Sequence, residues 1–346
     1  MQPDRLDIVR PDDWHLHLRD GAALAAVVGY SARRFARTIV MPNLKPPITS
    51  VAQALAYRAR IRACLPPAAD FEPLMTLYLT RQTTAQDIAD AKASGLVHAV
   101  KFYPQGATTH SDAGVGDLAA VYPVIEAMQQ VDLPLLVHGE VTDPAVDVFD
   151  REAVFIERQL LPLRARFPQL RVVLEHITTT AGVQFVQSQA SCVGATITAH
   201  HLLLNRNALF DGGIRPHHYC APVLKRERHR QALLAAATGG DKRFFLGSDS
   251  APHAREAKLA DCGCAGIFTA HAAIELYAEA FEQVGRLDRL EGFASLHGAD
   301  FYRLPRNRTR LLLERRAWSV PATLPLGDSV CVPLRAGASV AWSVAG

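Results

Sequence analysis

The stretch "DDWHLHLRD", Asp12 to Asp20, sets two histidines and an arginine at alternating positions where an apolar run ends. Side chains alternate between the two faces of a β-strand, so His15, His17 and Arg19 would share one face if "LDIVRPDDWHLHL" forms a strand. Such a row suits a common ligand. A polar edge strand whose histidines meet water is the more frequent origin of a lone His-x-His pair, so the interpretation depends on what ends the other strands.

Seven further short apolar runs follow, separated by Ala- and Leu-rich amphipathic stretches such as "SVAQALAYRARIRACL" with the length of crossover helices. The runs are "TIVMPN", "EPLMTLYLT", "HAVKFY", "PLLVHGE", "RVVLEH", "GATIT" and "RFFLGSD". Eight alternating units predict an α/β fold, a (β/α)8 barrel of TIM type with short N- and C-terminal extensions. We expect one domain over residues 1–346, with segment 305–346 forming short strands that pack beside the barrel.

The composition excludes several classes of protein. Of 346 residues, 49% are hydrophobic and 21% charged, and the formal net charge is +3. This charge gives no strong basic face for nucleic acid, and no apolar run reaches the roughly 20 residues of a membrane span. The first residues lack the apolar core of a signal peptide, and the six cysteines form no CxxC pair. We expect a cytoplasmic protein with reduced thiols.

Polar residues end most of the predicted strands. In a (β/α)8 barrel the carboxyl ends of the strands form the active-site face, so these side chains would meet at one mouth. A single histidine there is usually a core residue bonded to a backbone carbonyl, but four histidines and an aspartate together suit zinc, and also manganese, cobalt or iron. The residues are His15, His17, Asn43, Lys101, His138, His176 and Asp249.

Lys101 needs its own explanation, because an ammonium beside divalent cations is repelled by them and costly to bury. It could bind an anion, act in catalysis, or extend out of the barrel. Alternatively, the neutral amine reacts with carbon dioxide, and the two oxygens of the resulting carbamate bridge two metals about 3.5–4 Å apart. The residues alone leave these alternatives open.

Longer segments around these positions carry a family resemblance. The chain resembles the dihydroorotase family of short, single-chain bacterial and fungal type, within the amidohydrolase superfamily, and the similarity covers nearly its whole length. The segments are "DDWHLHLRDG", "VMPNLKPP", "AVKFYPQGATTHSDAGV", "LLVHGE", "VLEHITT", "HHLLLNRN", "YCAPVLKR", "LGSDSAPH" and "KLADCGCAG".

The resemblance implies a zinc-dependent cyclic amide hydrolase, acting as a homodimer. Its reaction would be the reversible interconversion of N-carbamoyl-L-aspartate and L-dihydroorotate in pyrimidine (UMP) biosynthesis. Two zinc ions per subunit are implied, with His15, His17 and Asp249 on one. The other ion would be held by His138 and His176, and Lys101, carboxylated with carbon dioxide (N6-carboxylysine), and a hydroxide would bridge both.

The resemblance also implies how the substrate is bound. The residue at position 221 is often larger in this subfamily, but the implied contact is made by the backbone, so the change alters little. The implied residues are Arg19, Asn43 and His253 on the substrate carboxylate, backbone groups of Ala221 and Ala265 on the ring, and Thr108 and Thr109 on a mobile loop over the site.

The chemistry of the residues agrees with this assignment. Two dications lower the pKa of bound water and polarise an amide carbonyl, and Asp249 could carry the proton from the attacking hydroxide to the departing ring nitrogen as general acid/base. Arg19 offers a fork for a carboxylate, against the alternative of a surface ion pair with Asp20 or Asp12. The Gly/Ser/Thr-rich segment 104–117 suits a lid, against an ordinary βα loop.

Two other functions remain as alternatives. A hydantoinase or dihydropyrimidinase would share the metal ligands but would not need Arg19, Asn43 and His253 to bind a carboxylate. A catalytically inactive scaffold relative would be marked by lost ligands, and none of the implied ligands is missing from the sequence.

Overall fold

Eight parallel strands form the central sheet of the computed structural model, which describes residues 3–345. The strands are β1 (Arg5–Val9), β2 (Asp12–Leu16), β3 (Arg37–Val40), β4 (Glu72–Tyr78), β5 (Val97–Phe102), β6 (Leu135–His138), β7 (Val172–Glu175), β8 (Val193–Ile197), β9 (Phe244–Leu246), β10 (Arg310–Glu314), β11 (Trp318–Ser319), β12 (Leu324–Leu326), β13 (Ser329–Cys331), β14 (Ser339–Val340) and β15 (Ser343–Val344). β2 to β9 pair in sequential order, and a parallel bridge between Leu16 and Ser250 brings the first and last strands together. The predicted (β/α)8 barrel is confirmed.

Helices lie between consecutive strands of the barrel, and the last three helices follow its final strand. They are α1 (Gly21–Arg34), α2 (Val51–Ala63), α3 (Ala85–Ala93), α4 (Tyr122–Gln130), α5 (Arg151–Phe155), α6 (Leu161–Arg166), α7 (Thr180–Ser188), α8 (Ala199–Leu203), α9 (Glu227–Thr238), α10 (Arg255–Leu259), α11 (Ala273–Gln283) and α12 (His297–Tyr302). A π-helical turn at Ile156–Leu160 joins α5 to α6. Capping boxes start two of the helices, from Ser50 before α2 and from Thr84 before α3. Within residues 3–345, none of the helices is both long and apolar enough to cross a membrane.

The expected first strand is divided in two. Instead of one strand over "LDIVRPDDWHLHL", β1 ends at Val9 and pairs antiparallel with β10 in a separate three-stranded sheet, while β2 enters the barrel. Pro11 lies at the break, and a proline has no N–H to donate to a neighbouring strand. The short strands from β10 onward lie beside the barrel, where β12 packs on α1 and β14 packs on α11.

Packed, mostly apolar side chains fill the barrel interior, and polar side chains line its mouth at the carboxyl ends of the strands. Because side chains alternate along a strand, Leu136 and His138 of β6 share the inner face, as do Ala99 and Lys101 of β5. The strand alternation therefore directs the polar residues to the mouth. The inner cluster consists of Trp14, Ile39, Met41, Leu74, Ala99, Leu136, Val173, Phe245, Ala299 and Tyr302.

Candidate active site and metal centre

A small cavity at the carboxyl ends of the strands collects nearly all the residues expected in the site. Lys101 lies beneath it, fully buried, and His253 lies at its edge against Arg19. The lining residues are His15, His17, Arg19, Asn43, Tyr103, Thr108, Thr109, His138, His176, Ala221, Asp249, Ala251, Ala265 and Gly266.

His15, His17 and Asp249 converge from the first and last barrel strands. His15 Nε2 lies 3.3 Å from His17 Nε2, and Asp249 Oδ1 lies 3.3 Å from His15 Nε2 and 3.1 Å from His17 Nε2. Ligand atoms about 2.0–2.1 Å from a tetrahedral zinc ion lie about 3.3 Å apart, so this spacing fits one ion among the three atoms. The buried imidazole and carboxylate donors are also the types that zinc prefers.

Burial and charge act in opposite directions on this cluster. Burial raises the pKa of Asp249, but attraction to His15 and hydrogen bonds from both histidines outweigh it and hold the pKa well below its usual value. Burial lowers the pKa of His17 to about 4. Asp249 is therefore a carboxylate and His17 a neutral imidazole at neutral pH, the states that a metal requires of its ligands. Burial lowers the pKa of His15, but attraction to Glu175 and Asp249 outweighs it and raises the pKa to about 9, so His15 would lose a proton when a metal binds.

The backbone at the top of the barrel brings these side chains together. The register of β2 on β3 shifts between Asp13 and Leu16, and the Asp249 N–H donates to the His15 carbonyl. Asp13 is buried and accepts hydrogen bonds from the Ser248 N–H and hydroxyl, which ties β2 to the segment that carries Asp249. Asp249 itself has a φ of 45°, a left-handed conformation that is costly for a residue other than glycine and is typical of functional sites.

Glu175 contacts both Lys101 and His15, and the sequence analysis did not select it. Its Oε2 contacts Lys101 Nζ and lies 2.9 Å from His15 Nδ1, and all three residues are buried. A carboxylate on the far nitrogen of a metal-binding histidine commonly fixes its ring. The available signal was strand alternation, because Val173 faces the barrel interior and Glu175 is two residues further along β7.

His176 and His138 lie next to this group. The His176 ring centroid is 5.0 Å from that of His15 and 4.8 Å from that of His138. His176 Nδ1 is buried without a hydrogen-bond partner among the described residues. The His176 side chain also lies close enough to His15 and Glu175 for the three to form a ligand group. His138 Nε2 instead lies 2.9 Å from Glu140 Oε2, a second acidic neighbour that the sequence analysis did not select. His138 and His176, which were expected to share a metal, therefore lie close together, and Glu140 lies beside His138.

Lys101 is enclosed by the protein and does not extend out of the barrel. Burial lowers its pKa, and attraction to Glu175 opposes this without cancelling it. The ammonium also lies 4.9 Å from the centroid of the Tyr103 ring. The alternative in which Lys101 extends out of the barrel is therefore wrong. Its contact with Glu175 reduces the free-energy cost of burying the ammonium.

Arg19 reaches the cavity after the strand has ended. β2 stops at Leu16, and Arg19 has a φ of 60°, so strand alternation does not place it as expected. Its Nε donates to the Pro252 carbonyl, and Nη2 lies 2.9 Å from His253 Nε2. The alternative of a surface pair is wrong. The two acids pair elsewhere, Asp20 with Arg60 and Asp12 with Arg37.

Asn43 joins the metal cluster to the loop over the mouth. Its Oδ1 lies 2.9 Å from His17 Nδ1, and its Nδ2 donates to the Thr109 carbonyl. Across the cavity, Thr109 Oγ1 donates to the Ala265 carbonyl at 3.4 Å, so the loop lies over the site. Gly114 in this loop allows a close approach of two backbone segments, because a Cβ there would overlap the Tyr103 carbonyl oxygen.

Comparison with known proteins gives a consistent result. Residues 9–318 match the model of the amidohydrolase family. A dihydroorotase of Cupriavidus taiwanensis is 66% identical over 338 residues, which is 98% of this chain and 98% of that protein. The crystal structure of dihydroorotase from Saccharomyces cerevisiae in complex with 5-fluoroorotic acid matches with a TM-score of 0.92 and 32% identity over 99% of both chains.

Cyclic amide hydrolases of other specificity share the fold at lower identity. An L-hydantoinase (dihydropyrimidinase) from Arthrobacter aurescens matches with a TM-score of 0.80 and 16% identity, over 98% of this chain and 83% of that one. The two dihydroorotases are more similar in sequence to this chain, and each match covers at least 98% of both proteins. The chain belongs to the amidohydrolase family, among its dihydroorotases.

Proposed function

We propose that this dihydroorotase interconverts N-carbamoyl-L-aspartate and L-dihydroorotate with two zinc ions and a carboxylated Lys101, as a step of pyrimidine biosynthesis. The observation that supports it most is the meeting of a buried His/Asp cluster with the Arg19 guanidinium in one cavity. The cluster suits a metal, and the guanidinium suits the carboxylate that distinguishes dihydroorotate from uncharged cyclic amides. A cytoplasmic homodimer is the remaining part of the proposal.

The donor atoms divide into two sites. His15, His17 and Asp249 would hold one zinc ion, and His138, His176 and the Lys101 carbamate would complete the second. Bound zinc would supply a hydroxide at neutral pH and polarise the amide carbonyl. Glu175 would keep His15 oriented through its Nδ1.

Asp249 is the proposed proton carrier. Both of its histidine contacts are made through Oδ1, and we assign the proton transfer to Oδ2. Asp249 is ionised at neutral pH, so it has the free carboxylate oxygen needed to accept a proton from the nucleophile, and the protonated acid would then deliver it to the ring nitrogen as the amide breaks. In the reverse direction the same oxygen would remove a proton from the carbamoyl nitrogen as the ring closes.

Arg19 is the proposed carboxylate-binding residue. Its guanidinium is held at the cavity by the Pro252 carbonyl and His253. Burial, followed by repulsion from Arg19, lowers the pKa of His253 to about 2, so His253 is neutral beside the arginine. A neutral imidazole and a charged guanidinium together can donate to both oxygens of one carboxylate.

Replacing Arg19 by Gln tests this function directly. A charge-assisted hydrogen bond contributes roughly 1.5–3 kcal/mol, so kcat/KM for dihydroorotate should fall on the order of tenfold to a hundredfold, and 5-fluoroorotic acid should bind more weakly by a similar factor. Metal content should be unchanged. Arg60→Gln, which removes an exposed pair with Asp20, is the control and should behave as the parent. Unchanged affinity for 5-fluoroorotic acid in Arg19→Gln would exclude the role.

Thr108 and Thr109 are proposed to close over the substrate and donate hydroxyl hydrogen bonds to it. At about 0.5–1.5 kcal/mol for each bond, the double variant Thr108→Ala, Thr109→Val should lower kcat roughly tenfold to a hundredfold. Metal content should stay at the parent value, because neither residue contacts the ligand cluster. The exposed Thr309→Val serves as control. A parent-like kcat in the double variant would show that this segment is an ordinary loop.

A further inference from the structure

Lys258 is a buried lysine next to the site that the proposed chemistry does not use. It lies in α10, and 5% of its surface is exposed. Its Nζ donates to three backbone carbonyls, those of Tyr219 at 2.6 Å, Cys264 at 2.9 Å and Gly266 at 2.9 Å. An ammonium has three N–H donors, so every donor of Lys258 is used.

The three carbonyls belong to two segments that line the cavity. Tyr219 lies two residues before Ala221, and Cys264 and Gly266 lie on either side of Ala265. The Gly266 N–H also donates to the Tyr219 carbonyl at 3.0 Å, which joins the two segments directly. Lys258 therefore ties together two backbone stretches that line the cavity.

The Ala265 segment also holds other parts of the site. The Ala265 carbonyl accepts a hydrogen bond from Thr109 Oγ1 of the loop and lies 2.9 Å from His253 Nε2, the neighbour of Arg19. Because alanine has no polar side chain, its contribution to recognition depends on where its backbone lies. A small displacement of this segment would change the ring contact, the loop contact and the environment of His253 together.

The lysine is held by carbonyls and not by an acid. Among residues 3–345, its three hydrogen bonds go to backbone carbonyls and it makes no ion pair with a carboxylate. The ring of Tyr219 lies 5.6 Å from the ammonium and adds a cation–π contact. A buried charge without a counter-ion is costly unless its hydrogen bonds are complete, so this ammonium is stable only while both segments keep their positions.

We propose that Lys258 is a positioning residue that fixes the Ala221 and Ala265 backbone for binding of the substrate ring. This inference rests on the proposed function for the identity of the ring. Its physical content is that the lysine holds segments 219–222 and 262–266 in one arrangement. Ring binding should therefore weaken when the three donors are lost, although Lys258 touches neither metal ligands nor substrate.

The test compares zinc-loaded parent protein with Lys258→Met, Lys258→Arg and the control Lys242→Met, which alters an exposed lysine. In Lys258→Met, the dissociation constant for 5-fluoroorotic acid and the KM for dihydroorotate should each rise about tenfold or more, with metal content unchanged. Lys258→Arg keeps N–H donors and should recover part of this loss. Lys242→Met should match the parent in all three measurements.

Two results would overturn the proposal. One is a folded Lys258→Met protein with a lower Tm but parent-like affinity and KM, which would mean that the lysine only stabilises the fold. The other is unchanged amide hydrogen exchange in segments 219–222 and 262–266 of Lys258→Met. The exchange measurement needs no activity, so it tests the positioning role even if the parent fails to bind 5-fluoroorotic acid, a failure that would count against the proposed function alone.

Discussion

Lys101→Ala is expected to lower kcat/KM for dihydroorotate at least about a thousandfold, a loss of roughly 4 kcal/mol of transition-state stabilisation. The variant removes the side chain that would supply the bridging carbamate, so it should also bind fewer metal ions than the parent. Metal analysis and steady-state kinetics on the same preparation measure both effects.

In Lys101→Ala, destabilisation of the fold can be distinguished from loss of the carbamate. Removing Lys101 also removes a buried side chain that Glu175 contacts, which is itself destabilising. Short carboxylic acids such as acetate or propionate should restore part of the activity by occupying the vacated volume with a carboxylate, whereas they would not repair a misfolded barrel. An active, two-metal crystal structure with an unmodified ammonium at Lys101 would contradict the carbamate.

Metal removal is expected to have an effect of similar size. Chelation should lower activity to below about a thousandth of the parent value, because side chains alone cannot supply the hydroxide and polarise the amide carbonyl. Zinc should restore activity, with a titration endpoint near two ions per chain. Removal should also lower Tm, since an ion that binds only the folded state stabilises it. Full activity in protein that contains no metal would contradict the metal centre.

The barrel and most of its site were accessible from sequence because both depend on local periodicity. Each of the eight apolar runs supplied one barrel strand, although the first run also formed β1 outside the barrel, and residues that end such runs meet at one face whatever the details of helix packing. Leu136 and His138 illustrate this, since strand alternation alone carries the inner face of β6 from the packed interior to the mouth.

The remaining features depend on contacts that no local pattern encodes. Glu175 was missed because its importance comes from Lys101 and His15, which are far away in the chain. Arg19 arrived at the expected place for a different reason, through a left-handed backbone turn after β2 has ended. Pro11 was visible in the sequence, but the separate sheet that β1 joins requires β10, some 300 residues later.

The most direct test of the account measures kcat/KM for dihydroorotate, hydantoin and dihydrouracil on one zinc-loaded preparation whose metal content is determined in parallel. With the metal centre and Arg19 in one cavity, we expect efficient turnover of dihydroorotate and a much lower kcat/KM for the two uncharged amides. Comparable turnover of hydantoin or dihydrouracil, or no turnover of dihydroorotate by protein carrying two metals per chain, would contradict it.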